Sequence, residues 1–160
     1  MAPFRTNTVV VADDFAAFRG LVRSKLQENG FHIVAEASDG LEAVARVAES
    51  QPDLVLLDIV MPNLNGIEAS AQIRAIAPHS KVLFLSLMAD VEIVDSALRD
   101  GALGYVCKSK IDNDLLPGIE AALAGKRFIS PNVRPIAKDL RTARWRKITQ
   151  STRTKITGAR

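Results

Sequence analysis

Five short apolar runs, continuous rather than alternating, punctuate the chain, and each is followed by a longer stretch with helical spacing. Continuous β-branched runs suit strands buried on both faces, and such strands belong to parallel sheets covered by helices. The runs are Thr8 to Ala12, the less apolar His32 to Ala37, Asp53 to Leu57, Lys81 to Ser86 and Gly104 to Cys107. Phe15, Phe18, Leu21, Val22 and Leu26 recur at helical spacing before Gly30. Leu41 to Glu49 reads as a helix with Leu41, Val44, Ala45 and Ala48 on its inner face, stopped by Pro52. Ile67 to Ile76, Asp90 to Arg99 and Asp112 to Ala124 are helical, and Pro78, Gly101 and Gly125 close them. Strict alternation of this kind predicts an α/β fold: a doubly wound parallel sheet of five strands with five helices on its two faces, joined by right-handed crossovers.

In such sheets ligands bind beyond the carboxyl ends of the strands. The first run is followed by Asp13 and Asp14, the third by Asp58, the fourth ends in Ser86 and the fifth is followed by Lys108. Each residue alone has a plainer reading: Asp14 as a helix cap, Ser86 as a turn hydroxyl, Lys108 as a solvated charge. Together they place three carboxylates, a hydroxyl and a cation on one edge of an apolar sheet. Crowded carboxylates repel unless a cation sits among them, and hard oxygen donors without His or Cys suit Mg²⁺. A carboxylate beside Mg²⁺ and a lysine can attack phosphorus and form an aspartyl-phosphate, with Lys108 and Ser86 holding phosphoryl oxygens. Asp58 is the best-placed nucleophile. No strong base accompanies it, so slow transfer and slow hydrolysis are expected.

Composition sharpens this through charge. Residues 1–133 hold 12 Lys and Arg against 17 Asp and Glu, a net of −5, while residues 134–160 hold nine basic residues and one acid, a net of +8. The overall charge of +3 therefore hides an acidic body and a basic tail, 131–160, read as a short helix, disorder or both. The single Cys107 excludes an internal disulfide and a multi-Cys zinc site, and fits a reducing, cytoplasmic compartment. No apolar run approaches the roughly 18 residues of a membrane helix, so no membrane partner is expected.

These residues resemble the receiver domain of bacterial two-component response regulators over about residues 6 to 130. The likeness rests on Val-Val-Val-Ala-Asp13-Asp14, Leu-Val-Leu-Leu-Asp58-Ile-Val-Met-Pro62-Asn-Leu-Asn-Gly66, Leu-Phe-Leu-Ser86 and Gly-Ala-Leu-Gly-Tyr105-Val-Cys-Lys108. The run Arg99 to Lys108, with Leu115-Leu116 and Ala124 to Pro131, is most similar to the NarL/FixJ (LuxR-type) subfamily. The resemblance implies a flavodoxin-like, CheY-like sheet of order 2-1-3-4-5. It implies that Asp58 takes a phosphoryl group from a sensor histidine kinase. It implies Mg²⁺ held by Asp14 and Asp58, by the Val60 carbonyl, and by Asp13 through water. Ser86 and Tyr105 match the family's switch pair, which makes the face of helix four, strand five and helix five the output surface, toward an unknown output protein or a second copy.

Two features depart from the pattern. Ser109 follows the lysine where many receivers have Pro, and only 27 residues follow Val133, against about 60 for a helix-turn-helix output domain. Two other readings therefore stand beside the receiver: a DNA-binding transcription regulator, either a truncated LuxR-type protein or one that reaches DNA through its basic tail or as a dimer, and a Mg²⁺-dependent aspartyl-phosphate phosphatase. The latter class places an acid/base Asp two residues after the nucleophile, where this chain has Val60. His32 and His79 read as surface residues, Cys107 as a small core hydrophobe, and Trp145 among Arg144, Arg146 and Lys147 as loosely packed or disordered.

Overall fold

A computed structural model describes residues 6–133; the basic stretch, with Trp145 and the helix expected there, lies outside the described residues. The elements run β1 (Thr8–Ala12), α1 (Ala16–Glu28), β2 (His32–Ala37), α2 (Gly40–Ser50), β3 (Leu54–Asp58), α3 (Gly66–Ile76), β4 (Lys81–Ser86), α4 (Val91–Leu98), β5 (Gly104–Cys107), α5 (Ile111–Leu123) and β6 (Phe128–Ile129), with a 3-10 turn over Lys108–Lys110. All pairings are parallel and the order is β2-β1-β3-β4-β5-β6.

The sheet is sandwiched as its continuous apolar strands require. Side chains alternate along each strand, so Val9, Val11, Leu54 and Leu56 meet Val22 and Leu26 of α1 and Leu115 and Ile119 of α5. Val10, Val55, Leu57 and Phe84 meet Ala43 and Val47 of α2, Ile73 of α3 and Ile93 of α4. β1, β3, β4 and β5 are buried almost throughout.

Three expectations change. The sheet has six strands rather than five, because Phe128 and Ile129 pair with Gly104 and Tyr105 after the turn at Gly125. Two residues are too few for any periodicity to show in sequence. On α2 the inward stripe is Gly40, Ala43 and Val47, whereas Leu41 is 55% exposed. The helix packs so closely at Gly40 that a Cβ there would stand 2.0 Å from the Leu64 carbonyl oxygen, which turns Leu41 outward. Of the apolar set expected on α1, Val22 and Leu26 are buried, whereas Phe15, which precedes the helix start at Ala16, and Leu21 are exposed.

The turn between β3 and α3 is fixed with little slack. Gly66 donates its N–H to the Ile59 carbonyl at 2.8 Å, and Asn65 caps α3 by accepting from Glu68 N–H at 3.0 Å. Asn63, in the left-handed region at φ 67°, donates to Asp39, the N-cap of α2, at 2.8 Å. A Cβ on Gly66 would lie 2.0 Å from the Asp58 carbonyl oxygen. Gly66→Ala is therefore expected to cost about 3 kcal/mol in urea denaturation, because backbone rather than a flexible side chain must give way. An alanine variant as stable as wild type refutes this.

Candidate functional site

Strand register brings the predicted residues level with one another. Ala12 pairs with Leu57, Asp58 with Leu85 and Ser86 with Cys107, so Asp13, Asp58, Ser86 and Lys108 emerge at one edge of the sheet. Lys108 reaches back over that edge. Its Nζ donates to Asp13 Oδ2 at 2.5 Å and to Asp58 Oδ2 at 3.2 Å, with all three side chains nearly withdrawn from water. The ammonium also lies over the Phe18 ring, 4.3 Å from its centroid, a cation–π contact. Asp13 is held further, accepting from Phe15 N–H at 2.8 Å, while Arg19 binds its carbonyl at 2.6 Å.

Asp14 is exposed and caps no helix: the residue before α1 is Phe15, which makes no side-chain cap. Asp13, Asp14 and Asp58 each offer an oxygen within 4.8 Å of the others. No His or Cys joins this group, so the donor set fits a hard cation such as Mg²⁺. A cavity of about 770 Å³ opens above the carboxylates, lined among others by Asp14, Asp58, Val60, Ser86 and Lys108. Its rim is apolar: Phe15, Val60 and Leu87 stand 65%, 49% and 81% exposed.

Ser86 and Tyr105 meet through a third residue. The Ser86 hydroxyl accepts from Met88 N–H at 3.2 Å, and the Tyr105 hydroxyl donates to the Met88 carbonyl at 2.8 Å. Tyr105 is fully buried beside Phe84, and burial pushes its phenol well above the ordinary value. Cys107 is buried too, and burial raises its thiol. His32 and His79 are exposed.

Sequence reasoning missed Phe18 and Met88. Helical spacing alone reads Phe18 as a core residue of α1, although its place one helical turn after Asp14 sets it beside the strand ends. Met88 acts through its backbone, which no residue type reveals.

The family profile of the response regulator receiver domain matches residues 9–120. The chain belongs to that family. The chemotaxis protein CheY of Listeria monocytogenes is 37% identical over 114 residues, which cover 71% of this chain and 96% of CheY. The transcriptional regulatory protein DegU of Brevibacillus brevis is 36% identical over 126 residues, 78% of this chain but 53% of DegU. This receiver thus spans nearly all of CheY and about half of DegU. Among solved structures, a LuxR-family two-component response regulator from Aurantimonas sp. SI85-9A1 is 32% identical with a TM-score of 0.77, covering 88% of this chain and 99% of its own. The signal receiver domain of the NarL regulator from Mycobacterium tuberculosis is 30% identical with a TM-score of 0.72, covering 76% and 99%. No helix among the described residues is long and apolar enough to cross a membrane.

The buried Asp58 carboxyl is pushed up from the usual 3.8 to about 6, first by desolvation, against which Lys108 pulls, with the Asp13 charge adding to the rise. The folded state of the metal-free receiver therefore favours protonated Asp58. That stabilisation is complete below about pH 4 and is lost as pH rises through 6. In chelator, Asp58→Asn is expected to exceed wild type by about 1–3 kcal/mol at pH 8, the gap closing toward pH 4. An Asn variant no more stable than wild type at pH 8 contradicts this account.

Proposed function

We propose that this receiver is a phosphorylation-controlled switch in which Asp58 accepts a phosphoryl group from the histidine of a sensor kinase. The observation that carries the reading is the Lys108 ammonium bridging Asp13 and Asp58 at the floor of a cavity that Ser86 also lines. Asp58 attacks phosphorus as the bond to the donor breaks, and the bonding pair leaves with the donor nitrogen. Lys108 then follows the charge from the carboxylate to the phosphoryl oxygens, and the Ser86 hydroxyl donates to another. Asp13, Asp14, Asp58 and the Val60 carbonyl would hold Mg²⁺. The ion supplies charge neutralisation at the phosphoryl oxygens.

Loss of the Ser86 hydroxyl from Met88 N–H would loosen the loop that Tyr105 holds by the Met88 carbonyl. On this reading the pair carries phosphorylation to the α4–β5–α5 face, where an output protein or a second copy docks. The phosphatase reading finds no support, since Val60 stands where an acid/base carboxylate is needed and is half exposed at the rim. DegU is by its name a transcriptional regulatory protein, which raises DNA binding as a second reading. For this chain it would rest on the stretch beyond residue 133.

Acetyl phosphate with Mg²⁺ is expected to add one phosphoryl mass, about 80 Da, to wild type and nothing to Asp58→Asn. Lys108→Ala should label roughly 100-fold more slowly, by analogy with loss of one charge-stabilising donor. A labelled Asp58→Asn protein places the acceptor elsewhere. Mg²⁺ at 100 times its Kd should stabilise wild type by about 2.7 kcal/mol, and Asp14→Asn should weaken the effect. Equal stabilisation of both proteins removes Asp14 from the metal site.

A further inference from the structure

β5 carries Tyr105 and leads directly from Cys107 into Lys108. The segment from Lys126 to Val133 runs alongside. Phe128 N–H donates to the Leu103 carbonyl and Ser130 N–H to the Tyr105 carbonyl, each at 2.9 Å. At the next position a side chain replaces the backbone. Cys107 N–H donates to Ser130 Oγ at 3.0 Å, and that hydroxyl donates onward to Asp114 Oδ2 at 2.8 Å. Ser130 is 1% exposed, and Asp114 lies in the first turn of α5. One buried hydroxyl thus ties β5, β6 and α5 together at the residue before Lys108.

We propose that Ser130, backed by Asp114, is a positioning residue for Lys108. It clamps the Cys107 amide and so fixes the backbone from which the lysine reaches Asp13 and Asp58. Lysine has a flexible four-carbon stem, and its tip must shift when the negative charge moves from Asp58 to phosphoryl oxygens. A tip can be retargeted accurately only if its root stays still, because small misplacements of a charge-stabilising group cost large factors in rate. β5 has four residues, and its backbone register with β6 covers only Gly104 and Tyr105. Ser130 extends that support to Cys107. Neither Ser130 nor Asp114 lines the cavity, so both act through Lys108. The inference rests on the receiver reading of the site.

The test uses the full chain, with Ser130→Ala, Ser130→Thr and Asp114→Asn. Two quantities are measured: the phosphorylation rate with acetyl phosphate at saturating Mg²⁺, and the Mg²⁺ Kd by calorimetry without phosphodonor. Ser130→Ala should slow phosphorylation about fivefold or more, the scale of one lost hydrogen bond, while Kd stays within about threefold, since the carboxylates come from the ends of β1 and β3. Ser130→Thr, which keeps the hydroxyl, should recover most of the rate. If Ser130→Ala melts below the assay temperature, Asp114→Asn carries the comparison, with a slower rate at unchanged Kd expected. Wild-type rates, or rate and Mg²⁺ affinity falling in parallel, overturn the proposal. A wild-type protein that takes no phosphoryl group refutes the receiver reading instead.

Discussion

A single ammonium resolves the main electrostatic difficulty of this molecule. Asp13 and Asp58 sit at the end of a sheet whose strands offer almost nothing but hydrocarbon, and both are buried. Two carboxylates so placed repel each other and lack water. Lys108 donates to both. Its own desolvation is eased by those contacts and by the Phe18 ring below it. Removing it would leave uncompensated buried charge, which is costlier than never having built the pair. The arrangement still leaves Asp58 short of full ionisation near neutral pH, with its carboxyl at about 6. A floor of this kind is held together yet under electrostatic load.

Much of this was legible in the amino-acid order. Continuous apolar runs gave the parallel sheet, and the rule about carboxyl ends picked out the residues that register brings level. Asp13, Asp58, Ser86 and Lys108 needed no structure to be grouped. The failures have specific causes. Leu41 looked like a core residue because hydrophobicity counts side chains, whereas the helix is rolled by the absence of one at Gly40. Phe15 fits the helical spacing but precedes the helix, so it stands at the cavity rim. β6 escaped notice because a two-residue strand has no period. Met88 links Ser86 to Tyr105 through its backbone N–H and C=O, which every residue but proline offers.

CheY matches along nearly its whole length and DegU along about half of its own. The residues matched by the receiver profile, 9–120, lie in the part of this chain that carries a net charge of −5. The +8 stretch lies beyond the residues that the receiver profile matches. Its charge says nothing about the site, just as the acidity of the body says nothing about a nucleic acid.

The close approach at Gly66 divides the site into parts that can and cannot vary. Its amide is tied to Ile59, and a side chain would run into the Asp58 backbone. The floor on which Asp58 stands is thus built from main chain at minimum separation. The rim is the opposite: Phe15, Val60 and Leu87 project into solvent, where exchanging one side chain for another disturbs no packing. Descendants of this sequence can therefore retune who enters the cavity, and how long water is kept out, without touching the chemistry below. Divergence has cheap routes at the mouth and almost none at the base.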